Sequence, residues 1–203
     1  MGGAQINSGL KGLVMKKPRL LGPTAKDWQL NASLNWIPDS HDALDMYAEG
    51  YLEAAKLVSR AAVKKGSKLT IDAVLWPMVF LWRHYLELRL KELIVSAADL
   101  SGGRTPRVMT HDLGMLWRTA KELLTKTVTI SAAELRVADA VFSEFASSDA
   151  LSEAFRYPTD KKGQRLAMSR SQINLRRVKI TMEALSRILE DVSIEISVLR
   201  DYP

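Results

Sequence analysis

Arg83, His84, Glu87 and Lys91, four side chains able to move protons or hold anions, crowd into the stretch FLWRHYLELRLKELI, Phe80–Ile94. At about 100° per residue they fall within one sector of a helix about 100° wide. Trp76, Phe80 and Ile94 extend that sector along the helix, and most of the remaining wheel is apolar. His84 is the member whose ordinary pKa lies near neutrality. Arg83–Glu87 and Glu87–Lys91 are i,i+4 pairs. Facing water, such a ladder stabilises a helix by roughly 0.2–0.5 kcal/mol per pair and does nothing more. Lining a groove, the same groups become anion ligands or proton-transfer groups. The apolar flanks favour partial burial of the stripe, expected at a subunit interface.

Two further segments carry chemistry. In THDLGMLW, Thr110–Trp117, His111 and Asp112 stand at the start of a helix. Either Thr110 or Asp112 caps the helix while Leu113, Leu116 and Trp117 pack, or Asp112 orients the neighbouring imidazole. In FRYPTDKKG, Phe155–Gly163, the choice lies between a folded loop that tucks Phe155 and Tyr157 into the body and a cationic cluster that grips phosphates. The candidate catalytic residues are therefore Arg83, His84 and His111. The candidate ligand-binding residues are Glu87, Lys91, Asp112, Arg156, Tyr157, Lys161 and Lys162. The spacing of His41, His84 and His111 demands no metal, and there is no P-loop, no Gly-rich dinucleotide turn and no His-Glu-x-x-His helix. Neither a metal nor another cofactor is expected.

The elements that must position these groups are helices. In 203 residues, 47% are hydrophobic, enough for a substantial core. Ala, Leu, Glu, Lys and Arg are common, whereas alternating β-branched and aromatic residues are rare. The absence of cysteine excludes disulfides and thiolate metal sites. No apolar run of about 18 residues exists, so no membrane span is expected. The first residues lack the apolar core of a signal peptide, which points to the cytoplasm. The net charge of +6 is uneven: Arg156 to Arg187 holds nine Lys/Arg against Asp160 and Glu183. Such a surface attracts polyanions, RNA or nucleotides among them.

Periodicity and punctuation predict an arm over 1–38, anchored by Trp28, Leu30, Leu34 and Trp36, followed by a helical body over 39–203. The first helix is expected from Asp39 or Ser40 to about Lys65, with Gly66 as its stop. The second runs from near Thr70 to Ala98, with a bend or restart at Pro77. A third covers about Asp112 to Thr125. A fourth covers about Ser131 to Ser147, with a Ser131–Glu134 capping box. The last runs from about Ser169 to Leu199, with Ile173, Ile180, Leu185, Ile188, Leu189, Val192 and Ile196 along one apolar face. A short hairpin within 156–166 is an open alternative to irregular loop. The fold class is all-α, an up-and-down bundle of four to five helices.

The order of LELRLKELI, then HDLGMLW, then FRYP, then a long helix resembles the HEPN-like superfamily of prokaryotic helical domains. The resemblance covers about Asp42 to Leu199 and is carried by Leu86–Ile94, His111–Leu116 and Arg156–Pro158. It implies a four- or five-helix bundle, commonly a homodimer, in bacterial defence or toxin–antitoxin systems, where a partner protein of the same system is also implied. Active members are metal-independent ribonucleases with an Arg followed four to six residues later by His near the start of a late helix. Here no His follows Arg156, Arg165, Arg170 or Arg176. The only match is Arg104, with six residues between it and His111, and Gly102, Gly103 and Pro106 make that segment a loop. The resemblance therefore implies first a non-catalytic or weakly catalytic module associated with RNA or nucleotides. It implies second a ribonuclease in which His84 or His111 is the acid/base and Arg83 stabilises the charged phosphorane. A structural protein-interaction module is the third class.

Overall fold

The computed structural model describes residues 28–33, 40–65, 67–104, 106, 108–149, 153–160, 162–166 and 171–202. The chain divides into two units, Met1–Ile37 and Pro38–Pro203. In the first, Trp28–Leu30 forms a single 3-10 turn. Leu34 and Trp36, the Asp39 cap, the Gly66 stop and Lys161 lie outside the described residues, as do the side chains of Trp28 and His41.

Among its described residues the second unit holds five helices: α1 (Ser40–Lys65), α2 (Lys68–Leu100), α3 (Leu113–Thr127), α4 (Ala132–Asp149) and α5 (Leu175–Asp201). The all-α class holds, and no strand occurs among the described residues. At the open hairpin site, one antiparallel bridge joins Thr159 and Arg165. Asp160 organises that turn. Its Oδ1 accepts from the backbone N–H of Lys162 and of Gln164, each at 2.8 Å. Gly163 supplies the left-handed residue at φ 75°.

Helix α2 is the hub, packed against α1, α3 and α5, while α4 leans on α3 and α5. From Met78 to Ala98 no residue of α2 is exposed, so its central turns leave no side open to bulk water. The helix continues through Pro77 without a restart, one of the two forms expected from proline's missing N–H. The indole of Trp82 donates to Ser59 Oγ at 2.8 Å and ties α2 to α1.

Local signals set the ends of α3 and α4. Asp112 caps α3, its Oδ1 accepting from the N–H of Gly114 (2.8 Å) and Met115 (3.1 Å). Gly114 is required by space: a Cβ there would stand 2.9 Å from Ala146 Cβ of α4. The Ser131–Glu134 capping box forms in both directions, at 2.8 and 3.2 Å.

Helix α5 begins later than expected. Ser169 lies outside the described residues, residues 171–173 are not helical, and Asn174 is the cap, accepting from Arg177 N–H at 3.0 Å. Its inward face is Leu175, Met182, Leu185, Leu189, Val192 and Ile196. Ile180 is not part of it. Two residues before Met182 is about 200° around the helix, and Ile180 is 59% exposed.

Candidate functional site

Glu87 sits at the centre of the first charged cluster, 2% exposed. Its Oε1 accepts from Lys91 Nζ at 2.7 Å, and Arg83 Nη1 donates to its Oε2 at 3.5 Å. Both are the i,i+4 pairs expected from the stripe. The third partner comes from the segment before α3: His111 Nδ1 lies 2.7 Å from Glu87 Oε1. Arg83, 1% exposed, holds that segment from below, its Nη2 donating to the His111 carbonyl at 2.8 Å. Burial alone would raise the Glu87 pKa, but hydrogen bonds from Lys91 and His111 and their charges outweigh it and hold the carboxyl below its ordinary value. An ionised Glu87 only accepts, so Nδ1 of His111 carries the proton. Nε2 is left to face outward on a side chain 66% exposed.

The stripe is therefore not a ladder in water: Arg83 and Glu87 are already buried within the single chain. The chain's own 110–112 segment covers it. Asp112 does not orient His111, since its carboxylate is committed to capping α3 and Glu87 takes the imidazole instead.

Beside this cluster lies an aromatic and cationic face. The His84 ring stacks on Phe80 at 5.7 Å and 18°, and meets Tyr51 of α1 edge-on at 4.3 Å. Arg156 places its guanidinium 5.8 Å from the Phe80 centroid and 5.5 Å from that of Tyr157. Phe155 is buried and stands 6.0 Å from Trp76. Tyr157 is exposed, so only half of the expected aromatic pair is tucked in. Burial lowers the His84 pKa. Glu87 opposes the shift, while Lys91, Arg156 and Arg83 reinforce it, so the imidazole is neutral at neutral pH. The structure thus brings Arg83, Glu87, Lys91 and His111 into contact and sets His84 within reach of the charges of Glu87, Lys91, Arg83 and Arg156. Lys162 stays on its own exposed turn.

A second charged cluster lies on the far side of α2, and sequence reasoning missed it. Arg89 is 1% exposed and surrounded by carboxylates. Nη1 donates to Asp45 (2.6 Å) and Glu92 (3.1 Å), Nη2 to Glu49 (2.7 Å) and Glu190 (3.2 Å), and Nε lies 3.0 Å from Glu190. Tyr85 OH donates to Glu190 at 2.8 Å. Ser96 and Ser193 donate to Glu92 at 2.9 and 3.3 Å. Glu49 has its pKa raised to about 7, first by a hydrogen bond with Glu190 and then by burial. The i,i+4 pair Asp45–Glu49 and the i,i+3 pair Arg89–Glu92 were visible in the sequence. That α1 and α5 would deliver carboxylates to one guanidinium was not.

A cavity of about 290 Å³ opens elsewhere, between Val79 of α2, Phe145 of α4, Phe155, and Arg177 and Met182 of α5. Its walls are largely apolar, and it does not coincide with either charged cluster. Among the described residues no three His, Asp or Glu side chains form a group that could hold a metal ion. No described helix is long and apolar enough to cross a membrane. Comparison with protein-family models, with curated proteins and with solved structures finds no match to this chain.

Proposed function

We propose that the protein is a module that binds RNA or nucleotides without cleaving them, or cleaves them only weakly, through the face formed by Phe80, His84, Arg156 and Tyr157. The HEPN-like resemblance supplies the setting, a bacterial defence or toxin–antitoxin system in the cytoplasm, with a homodimer or a partner protein as the assembly. The observation that carries the reading is the guanidinium of Arg156 over two aromatic rings, one of them exposed, beside a stacked and neutral His84. Unpaired bases stack on such rings and on guanidinium planes, and adjacent cations take the phosphates. Lys91 and His111 border the same side, and the basic stretch from Arg156 onward adds long-range attraction.

Arg83 argues against a strong ribonuclease. It is buried and bound to the His111 carbonyl, so it positions His111 rather than touching a phosphorane. One observation does favour the ribonuclease as a second reading: His111 carries a carboxylate on Nδ1, the arrangement that prepares Nε2 for proton transfer.

The test is titration of a labelled single-stranded RNA at several salt concentrations, with parallel incubation of that RNA in EDTA. Binding that weakens steeply with salt, with the RNA left intact, supports the proposed module. Cleavage that survives EDTA transfers support to the ribonuclease. No binding at low salt sinks both and leaves a structural interaction protein.

A further inference from the structure

Helix α5 presents a second, unfilled seam on the side away from the bundle. Ile180, Ala184, Arg187, Asp191, Ile194 and Val198 follow one another at intervals of four and three residues. That mean spacing of about 3.5 is the seam of a two-helix coiled coil. Ile194 is 62% and Val198 53% exposed, as open as Ile180. Arg187 and Asp191 are exposed, and among the described residues neither has an ion-pair partner in its own protomer.

The order of these residues is self-complementary. About a midpoint at position 189, Ile180 mirrors Val198, Ala184 mirrors Ile194, and Arg187 mirrors Asp191. One layer further out, exposed Arg177 mirrors exposed Asp201. In an antiparallel pair of identical helices, each residue meets the one that mirrors it on the other copy. Every layer would then set apolar against apolar or cation against anion, and the contact would be isologous. A parallel pair would set Arg187 against Arg187 and Asp191 against Asp191, so charge selects the antiparallel arrangement.

We propose that this face of α5 docks onto the same face of a second copy of the chain, antiparallel and centred on residue 189. The proposal specifies the surface and register of the homodimer that the resemblance implies, and it does not depend on the RNA-binding reading. With four apolar residues per seam and charges at its centre, the association is expected to be concentration-dependent rather than permanent.

Charge reversal tests it by light scattering on the full chain, with circular dichroism as the check on folding. Wild type should approach the dimer mass as concentration rises. Arg187→Asp sets acid against acid and should remain monomeric at concentrations where wild type is dimeric. Arg187→Asp combined with Asp191→Arg restores every pair and should restore the dimer mass. Because the chain has no cysteine, Ala184→Cys with Ile194→Cys should give a covalent dimer on oxidation, whereas Ala184→Cys alone should not. A wild type that stays monomeric up to about 100 μM, well above the dissociation constant of a specific pair, overturns the proposal and leaves the seam to a helix of another protein. So does a single reversal that leaves the mass unchanged, or cross-linking by Ala184→Cys alone.

Discussion

The two charged clusters on helix α2 are near mirror images. On one side a single carboxylate, Glu87, serves Arg83, Lys91 and His111. On the other a single guanidinium, Arg89, serves Asp45, Glu49, Glu92 and Glu190. Taking Arg83 as the origin, Glu87 and Lys91 lie at about 40° and 80° around the helix, and Tyr85, Arg89, Glu92 and Ser96 between about 180° and 240°. The partners differ in reach. The Glu87 cluster draws on α2 and the segment just before α3, whereas the Arg89 cluster joins α1, α2 and α5. The first therefore fixes a surface segment and leaves His111 and Lys91 at the border of an aromatic face. The second is a tie between helices in which the central cation is wholly consumed. Buried charge alone does not mark a site; what distinguishes the two is what each leaves unspent at the surface.

The largest effect is expected where the tie is cut. Arg89→Ala leaves carboxylates from three helices facing one another, with Glu92 buried. The loss in urea unfolding should be about 3–5 kcal/mol. Adding Glu92→Gln should recover part of it by removing one orphaned charge. A loss below about 1 kcal/mol would mean that the cluster is a surface network and that the contrast with Glu87 is false.

Glu87→Ala comes next. It removes the carboxylate that neutralises the buried Arg83 guanidinium and frees the His111 imidazole, and should cost about 3 kcal/mol. A change near zero would return the stripe to an ordinary exposed ladder. His84→Ala sharpens the same point from the other side. It should leave the unfolding midpoint nearly unchanged and weaken RNA binding, because His84 stacks on Phe80, whereas the groups that bond the Glu87 carboxylate are Arg83, Lys91 and His111.

A smaller effect separates the clusters by pH. The Glu87 pKa is depressed, so its contribution is present above the ordinary carboxylate value near 4.5 and is lost as pH falls through the lower folded-state value. Glu49 has the opposite sign. Its pKa is raised to about 7 from 4.5, so the folded state holds a proton that the unfolded state has released between those values. Its contribution is fully present below 4.5 and fades as pH rises towards 7. Glu49→Gln should therefore flatten the fall in melting temperature over that window. A profile parallel to wild type would show that Glu49 holds no proton over that window.

The sequence made the α2 part of the Glu87 side legible because those partners are close in the chain, but not the contact of Glu87 with His111, which packing brings from another segment. Arg83, Glu87 and Lys91 are one turn apart, and the capping signals of Asp112 and Ser131 are local by nature. It hid the Arg89 side for the converse reason: Glu49 and Glu190 are brought together only by packing of α1 and α5. The late start of α5 has a related cause. Asn174 is as good a cap as any serine upstream, and nothing local chooses between them. Ile180 was read into the inward face because single apolar residues fit two interleaved spacings on one helix. Only the packing of Met182 and Leu185 against the bundle decides which is inside.

The central claim is that the aromatic face beside Glu87 holds RNA and that the Arg89 side does not. The dissociation constant for single-stranded RNA at one fixed salt concentration, measured for wild type, Arg156→Ala and Glu49→Gln, tests it most directly. Loss of the Arg156 guanidinium should weaken binding by about tenfold or more, the scale of one lost stacking and phosphate contact, while Glu49→Gln should bind like wild type. Equal affinity for wild type and Arg156→Ala, or a loss confined to Glu49→Gln, would contradict the account.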